Sequence, residues 1–117
     1  MRPRDPSVPI EDAVRAGEAI LKYLGASSLQ DYASDEVLAS AVERQFEITG
    51  EALARAVRAA PGLVAAIPAV LDAIGFRNVL AHGYDVVAGE TVFSNARNDL
   101  PALLERLRDL LGFQEVA

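Results

Sequence analysis

The chain has 117 residues, 51% of them hydrophobic, and a formal net charge of −6, which is the scale of one domain around one core and leaves no room for a second. It contains no cysteine, so disulfide frameworks, thiolate metal sites and cysteine nucleophiles are excluded, and nothing requires an oxidising compartment. The acidic balance opposes the broad basic surface of a protein that grips long nucleic acid by its phosphates, so any RNA contact has to be local.

The N-terminus, MRPRDPSVPIEDAV, has two early arginines followed by prolines and acids instead of an apolar run, and does not read as a signal peptide. Residues 1–9 read as a flexible leader to a single helical domain within 1–117. Ile10, Ala13, Val14, Ala16, Gly17, Ile20, Leu21 and Leu24 recur at three- and four-residue steps and predict a first helix closed by Gly25. A loop is expected over Ala26 to Ala33. Ser34 then offers an N-cap with Asp35 and Glu36 in the first turn, and Leu38, Val42, Phe46, Thr49, Leu53 and Val57 carry one stripe to Pro61. A third helix is expected from about Pro68 through Val70, Leu71, Ile74 and Leu80, stopping at Gly83. The fourth stretch runs from about Thr91 to Leu111, with Val92, Phe93, Ala96, Leu100, Leu103, Leu104, Leu107 and Leu111 on one side.

The expected fold is therefore all-α, an up-and-down four-helix bundle whose last helix is kinked or split near Pro101. No apolar run is long enough to span a bilayer, and a cytoplasmic location without a membrane partner is the expectation. Ten of the eleven basic residues are arginines, with Lys22 the exception; this suits fork-shaped phosphate contacts, but a general bias toward arginine gives the same composition and is the simpler reading.

Reactive side chains gather in RNVLAHGYDVV, which holds the single histidine, His82, beside Arg77, Asn78 and Tyr84. Asn78 and His82, four apart, share a helix face, whereas Arg77 and His82 diverge on an ideal helix. If Gly83 is the C-cap, His82 lies at a fraying end within reach of the long Arg77 side chain, where the negative helix end favours imidazolium. On the residues alone, a lone histidine before a glycine at a helix end is more commonly a plain capping residue than a catalytic one. Tyr84 is equally a packed ring with a wet hydroxyl.

The segment RNVLAHGY resembles the motif of HepT-like HEPN proteins, an arginine, four residues, a histidine, one residue and a tyrosine, at Arg77, His82 and Tyr84. AVERQFEITGEALARA, Ala41 to Ala56, is similar to the second-helix signature of that family, and NDLPALLERLRDLL, Asn98 to Leu111, to its closing segment with an Leu-Pro dipeptide. Two departures are Thr49, where an isoleucine is common before the Gly-Glu-Ala element, and the lack of a tryptophan ahead of the arginine.

The resemblance implies a metal-independent endoribonuclease, the toxin of a prokaryotic type VII toxin-antitoxin module. Its partners are a second copy of the chain, RNA, and a small nucleotidyltransferase-like antitoxin that transfers AMP to the motif tyrosine, here Tyr84. No cofactor and no metal site are expected: one histidine without clustered acidic ligands offers no scaffold for divalent-metal hydrolysis. Attack by the RNA 2′-hydroxyl instead needs a base, an acid and cationic stabilisation. Arg77 and His82 are the expected catalytic residues. Asn78 is expected to position RNA, Glu51 to orient Arg77, and Tyr84 to line the cleft; Glu51 reads equally as a solvent-facing helix residue. Two other readings remain open: a non-catalytic helical substrate-binding subunit of a nucleotidyltransferase, and a structural bundle in which the motif only caps a helix.

Overall fold

The computed structural model describes residues 5–82 and 89–116, with His82 and 113–116 described by backbone alone. All regular structure among them is helical: α1 (Ser7–Leu24), α2 (Leu29–Ala33), α3 (Glu36–Ala59), α4 (Leu63–Ala66), α5 (Ala69–His82), α6 (Gly89–Ser94), a π-helical turn (Asn95–Asp99) and α7 (Leu100–Val116). No described helix is long and apolar enough to cross a membrane.

Helix α1 starts at Ser7, so the first turn takes in the end of the stretch read as leader; Ile10 N–H donates to the Pro6 carbonyl at 3.1 Å. It ends where expected, at Gly25, whose φ of 50° lies in the left-handed region open to glycine. The segment Ala26 to Ala33, expected as a loop, instead contains α2. Ser28 Oγ accepts from Asp31 N–H and Asp31 Oδ2 accepts from Ser28 N–H, both at 3.0 Å, a reciprocal cap that stabilises even one short turn. Ser34 is consequently occupied at the end of α2, donating to the Gln30 and Asp31 carbonyls. The N-cap of α3 is Asp35, which accepts from Leu38 N–H at 3.0 Å, one residue later than expected.

The buried side chains form two blocks along the bundle. One holds Ile10, Val14, Leu53, Ala56, Val70, Leu103 and Leu107; the other holds Ile20, Leu24, Tyr32, Val42, Phe46, Val92, Ala96 and Leu104. Each long element enters at one block and leaves at the other, so α1, α3, α5 and the α6–α7 stretch alternate in direction, the up-and-down order expected. Thr49, 1% exposed, fits the apolar stripe because its hydroxyl donates to the Gln45 carbonyl at 2.8 Å and leaves only its methyl to pack.

The closing helix is interrupted just before Pro101. Leu100 N–H donates to Asn95 O, five residues back, and this wider turn accommodates a proline that has no N–H and whose ring would otherwise press on the carbonyl four residues earlier. Two arginines tie this stretch to other helix ends. Arg97 donates to the Gly25 and Ser27 carbonyls, each at 2.8 Å, with its guanidinium 5.1 Å from the Phe93 ring centre; Arg106 donates to Ala66 O at 2.8 Å. At least these two arginines serve carbonyl groups.

Tyr32 is 2% exposed against Phe93, and its hydroxyl has no hydrogen-bond partner among the described residues. Burial first, and the nearby Glu43 charge second, push its pKa from 10.0 up to about 12. The stability due to the neutral phenol is therefore complete below pH 10 and declines as pH rises toward 12. Tyr32→Phe is expected to stabilise the fold by about 1 kcal/mol by removing the unsatisfied group, and to remove the tyrosinate step at about pH 12 from an absorbance titration. A loss of more than about 1 kcal/mol in urea unfolding would show that the hydroxyl is satisfied in solution.

Candidate active site on α5

Helix α5 follows from its boundaries. Ile67 precedes Pro68 and is held out of the helical region at φ −135° and ψ 84°. The Pro68 carbonyl then accepts from Leu71 N–H at 3.1 Å as the new helix begins. Its sequence, AVLDAIGFRNVLAH, is apolar around most of the circumference. It packs chiefly on α3, where Phe46 meets Phe76 edge-on at 5.1 Å between ring centres.

The next residue of α5 is Arg77. Its Nη2 donates to Glu51 Oε2 on α3 at 2.7 Å, and its Nη1 donates to Asn78 Oδ1 at 2.9 Å. The side chains are 29% exposed for Arg77 and 47% for Glu51, so the pair opens to solvent. A guanidinium has five N–H donors; contacts among the described residues use two of them, and a fork of this kind matches the oxygens of an anion such as phosphate. Helix α3 supplies the opposing surface. Gly50, buried, leaves room at the crossing, and Glu51, the next residue, carries the carboxylate.

The structure thus brings Arg77, Asn78 and Glu51 together. His82 is the last residue of α5; the backbone is still helical there, so Asn78 and His82 lie on one face and any approach of Arg77 to His82 is not provided by an unwound backbone before it. Its side chain, the Gly83 stop and Tyr84 lie outside the described residues. Farther up α3, burial and the neighbouring Glu47 charge raise the Glu43 carboxyl pKa.

A separate cleft of about 460 Å³ is lined by Phe46 and Thr49 of α3, Asp72, Ala73 and Phe76 of α5, and Leu103 of α7, among others. Neither Arg77 nor Asn78 lines it, so the largely apolar cleft and the guanidinium site are distinct places on α5.

Gly50 is the contributor that reading by residue type passed over, because a glycine has no chemistry of its own. The available signal was its position in the interior of a long amphipathic helix, where glycine is disfavoured without a packing reason.

Comparison with curated proteins and with solved structures gave no match. The family model described as Ribonuclease HepT-like matches residues 13–110, a span running from α1 through the α3–α5 crossing and most of α7, and the chain belongs to this HepT-like ribonuclease family.

Proposed function

We propose that the chain is the toxin of a two-gene module and acts as a metal-independent endoribonuclease through Arg77 and His82. The observation that carries this reading is the fixed guanidinium: Arg77 is held by Glu51 at 2.7 Å and Asn78 at 2.9 Å, on the same helix as the single histidine of the chain. In the reaction, the RNA 2′-oxygen attacks the adjacent phosphorus and the bond to the 5′-oxygen breaks. The 2′-hydroxyl proton passes to one neutral imidazole, and an imidazolium protonates the leaving 5′-oxygen, yielding a 2′,3′-cyclic phosphate and a 5′-hydroxyl. Arg77 stabilises the charge that accumulates on the phosphoryl oxygens.

One histidine cannot be base and acid together, so two chains share the work across a two-fold axis, each contributing His82 and Arg77. The outer face of α5 supports this assembly: Leu71 and Val79, eight residues apart on one stripe, are 54% and 52% exposed, an arrangement out of place on a helix this apolar unless another surface covers it. Sedimentation at micromolar concentration is expected to give a dimer; a monomer would exclude the shared cleft.

The module's second member is a nucleotidyltransferase-like antitoxin acting on Tyr84, and the site of action is the cytoplasm. The test of the activity is incubation of the purified chain with RNA in a chelator. Cleavage leaving 2′,3′-cyclic phosphate ends is expected. Loss of cleavage on chelation would overturn the mechanism, and a chain that never cleaves RNA but supports a nucleotidyltransferase would be a substrate-binding subunit.

A further inference from the structure

We infer that Gly50 is a positioning residue for Arg77: the missing side chain at this point of α3 lets the Arg77 stem cross the helix and deliver its guanidinium to Glu51. The functional half rests on the phosphate-binding reading of Arg77 given above; the structural half stands without it.

Gly50 is buried within the 24 residues of α3, where alanine would make a better helix because it loses less backbone freedom. Space accounts for the glycine. A Cβ at position 50 would overlap Arg77 Cβ, and would lie 2.8 Å from Arg77 Cγ and 3.0 Å from the Ala73 carbonyl oxygen. Arg77 Cβ and the Ala73 carbonyl are tied to the backbone of α5 and cannot rotate away. At Gly17, which also faces another helix, the obstacle is the end of the flexible Leu104 side chain, and a Cβ added at Gly62 would meet nothing within 4 Å among the described residues beyond its chain neighbours. The close approach at Gly50 is therefore set against α5, and most tightly against the Arg77 stem.

The consequence for geometry is direct. The carboxylate that receives the guanidinium belongs to Glu51, the neighbour of the glycine, so a single crossing point fixes both the separation of the helices and the length of the ion pair. A methyl group at position 50 moves α5 outward at Arg77, lengthens the 2.7 Å contact and turns the guanidinium fork away from its present direction. A charge-stabilising group displaced by even about 1 Å loses much of its effect on the transition state.

The experiment compares full-length Gly50→Ala, Glu51→Gln and Gly62→Ala with the unmodified chain, using the arginine Nε–H resonances and RNA cleavage. In Gly50→Ala the Arg77 resonance is expected to move toward that of solvated arginines, as in Glu51→Gln. Its kcat should fall by about thirtyfold or more while KM changes less than about threefold. Gly62→Ala should alter neither. An unmoved Arg77 resonance, or a kcat within about threefold of the unmodified chain, overturns the inference. Should Gly50→Ala fail to fold, the exchange Gly50→Ala with Arg77→Gly removes the overlap with the Arg77 stem and leaves only the 3.0 Å approach to the Ala73 carbonyl, which a shift of a few tenths of an ångström relieves; it is expected to restore folding, and failure of that exchange overturns the assignment of Gly50 to Arg77. If the unmodified chain cleaves no RNA, the phosphate reading fails, and the resonance and exchange results still decide the part played by Gly50.

Discussion

Arg77→Ala and His82→Ala are each expected to lower RNA cleavage by about a hundredfold or more while leaving the helical circular dichroism unchanged. A hundredfold corresponds to about 2.7 kcal/mol of transition-state stabilisation. For Arg77 the structural cost is much smaller: its pair with Glu51 is partly exposed on both sides, and such surface pairs contribute about 0–1 kcal/mol to folding. Lost stability therefore cannot account for lost activity. Arg77→Lys keeps the charge but not the planar fork and should recover only part of the rate. Single-turnover cleavage, with thermal unfolding measured on the same samples, checks the expectation. Undiminished cleavage by His82→Ala would remove the proposed acid and base from the mechanism.

Co-expression with the cognate nucleotidyltransferase is expected to add one or more AMP units to Tyr84 and to silence the ribonuclease. The modification replaces a neutral phenol by a bulky phosphodiester carrying negative charge. Tyr84 stands two residues after His82 in the sequence, and the Arg77 fork is the cationic group proposed to bind the scissile phosphate. A tethered phosphodiester that reaches it competes with RNA both for charge and for space. Tyr84→Phe should escape the silencing while keeping some activity, because the role proposed for Tyr84 is to line the cleft and not to transfer protons. Intact-mass and peptide spectrometry of the co-expressed protein test this; an unmodified Tyr84 in a fully inhibited sample would point to occlusion of the cleft by the bound partner.

Arg77→Ala and Gly50→Ala are expected to act at different levels, since the first would remove the proposed phosphate-binding group and the second would leave it in place but misdirected. Their comparison separates the chemical identity of the site from its geometry. Modification of Tyr84 would act at a third level, on access to the site.

Periodicity along the chain determined the helices and their order, because the three- to four-residue recurrence from Ile10 to Leu24, from Leu38 to Val57 and from Val92 to Leu111 can bury one face only as helix. Gly25 and Pro101 marked a stop and an interruption through backbone constraints that act locally wherever the residues occur. The short α2 was also legible in principle, in the Ser28–Asp31 cap, but its few residues gave no stripe to draw attention. Residue chemistry likewise placed the reactive groups in one segment, with Arg77, Asn78 and His82 on one helix. Only the tertiary structure decided between Glu51 as a solvent-facing residue and Glu51 as the partner of Arg77, since the two lie 26 positions apart and meet through the packing of α3 on α5. It alone gave Gly50 its meaning. A residue without a side chain carries no signal of its own, and the space it leaves is defined entirely by the helix that comes to fill it.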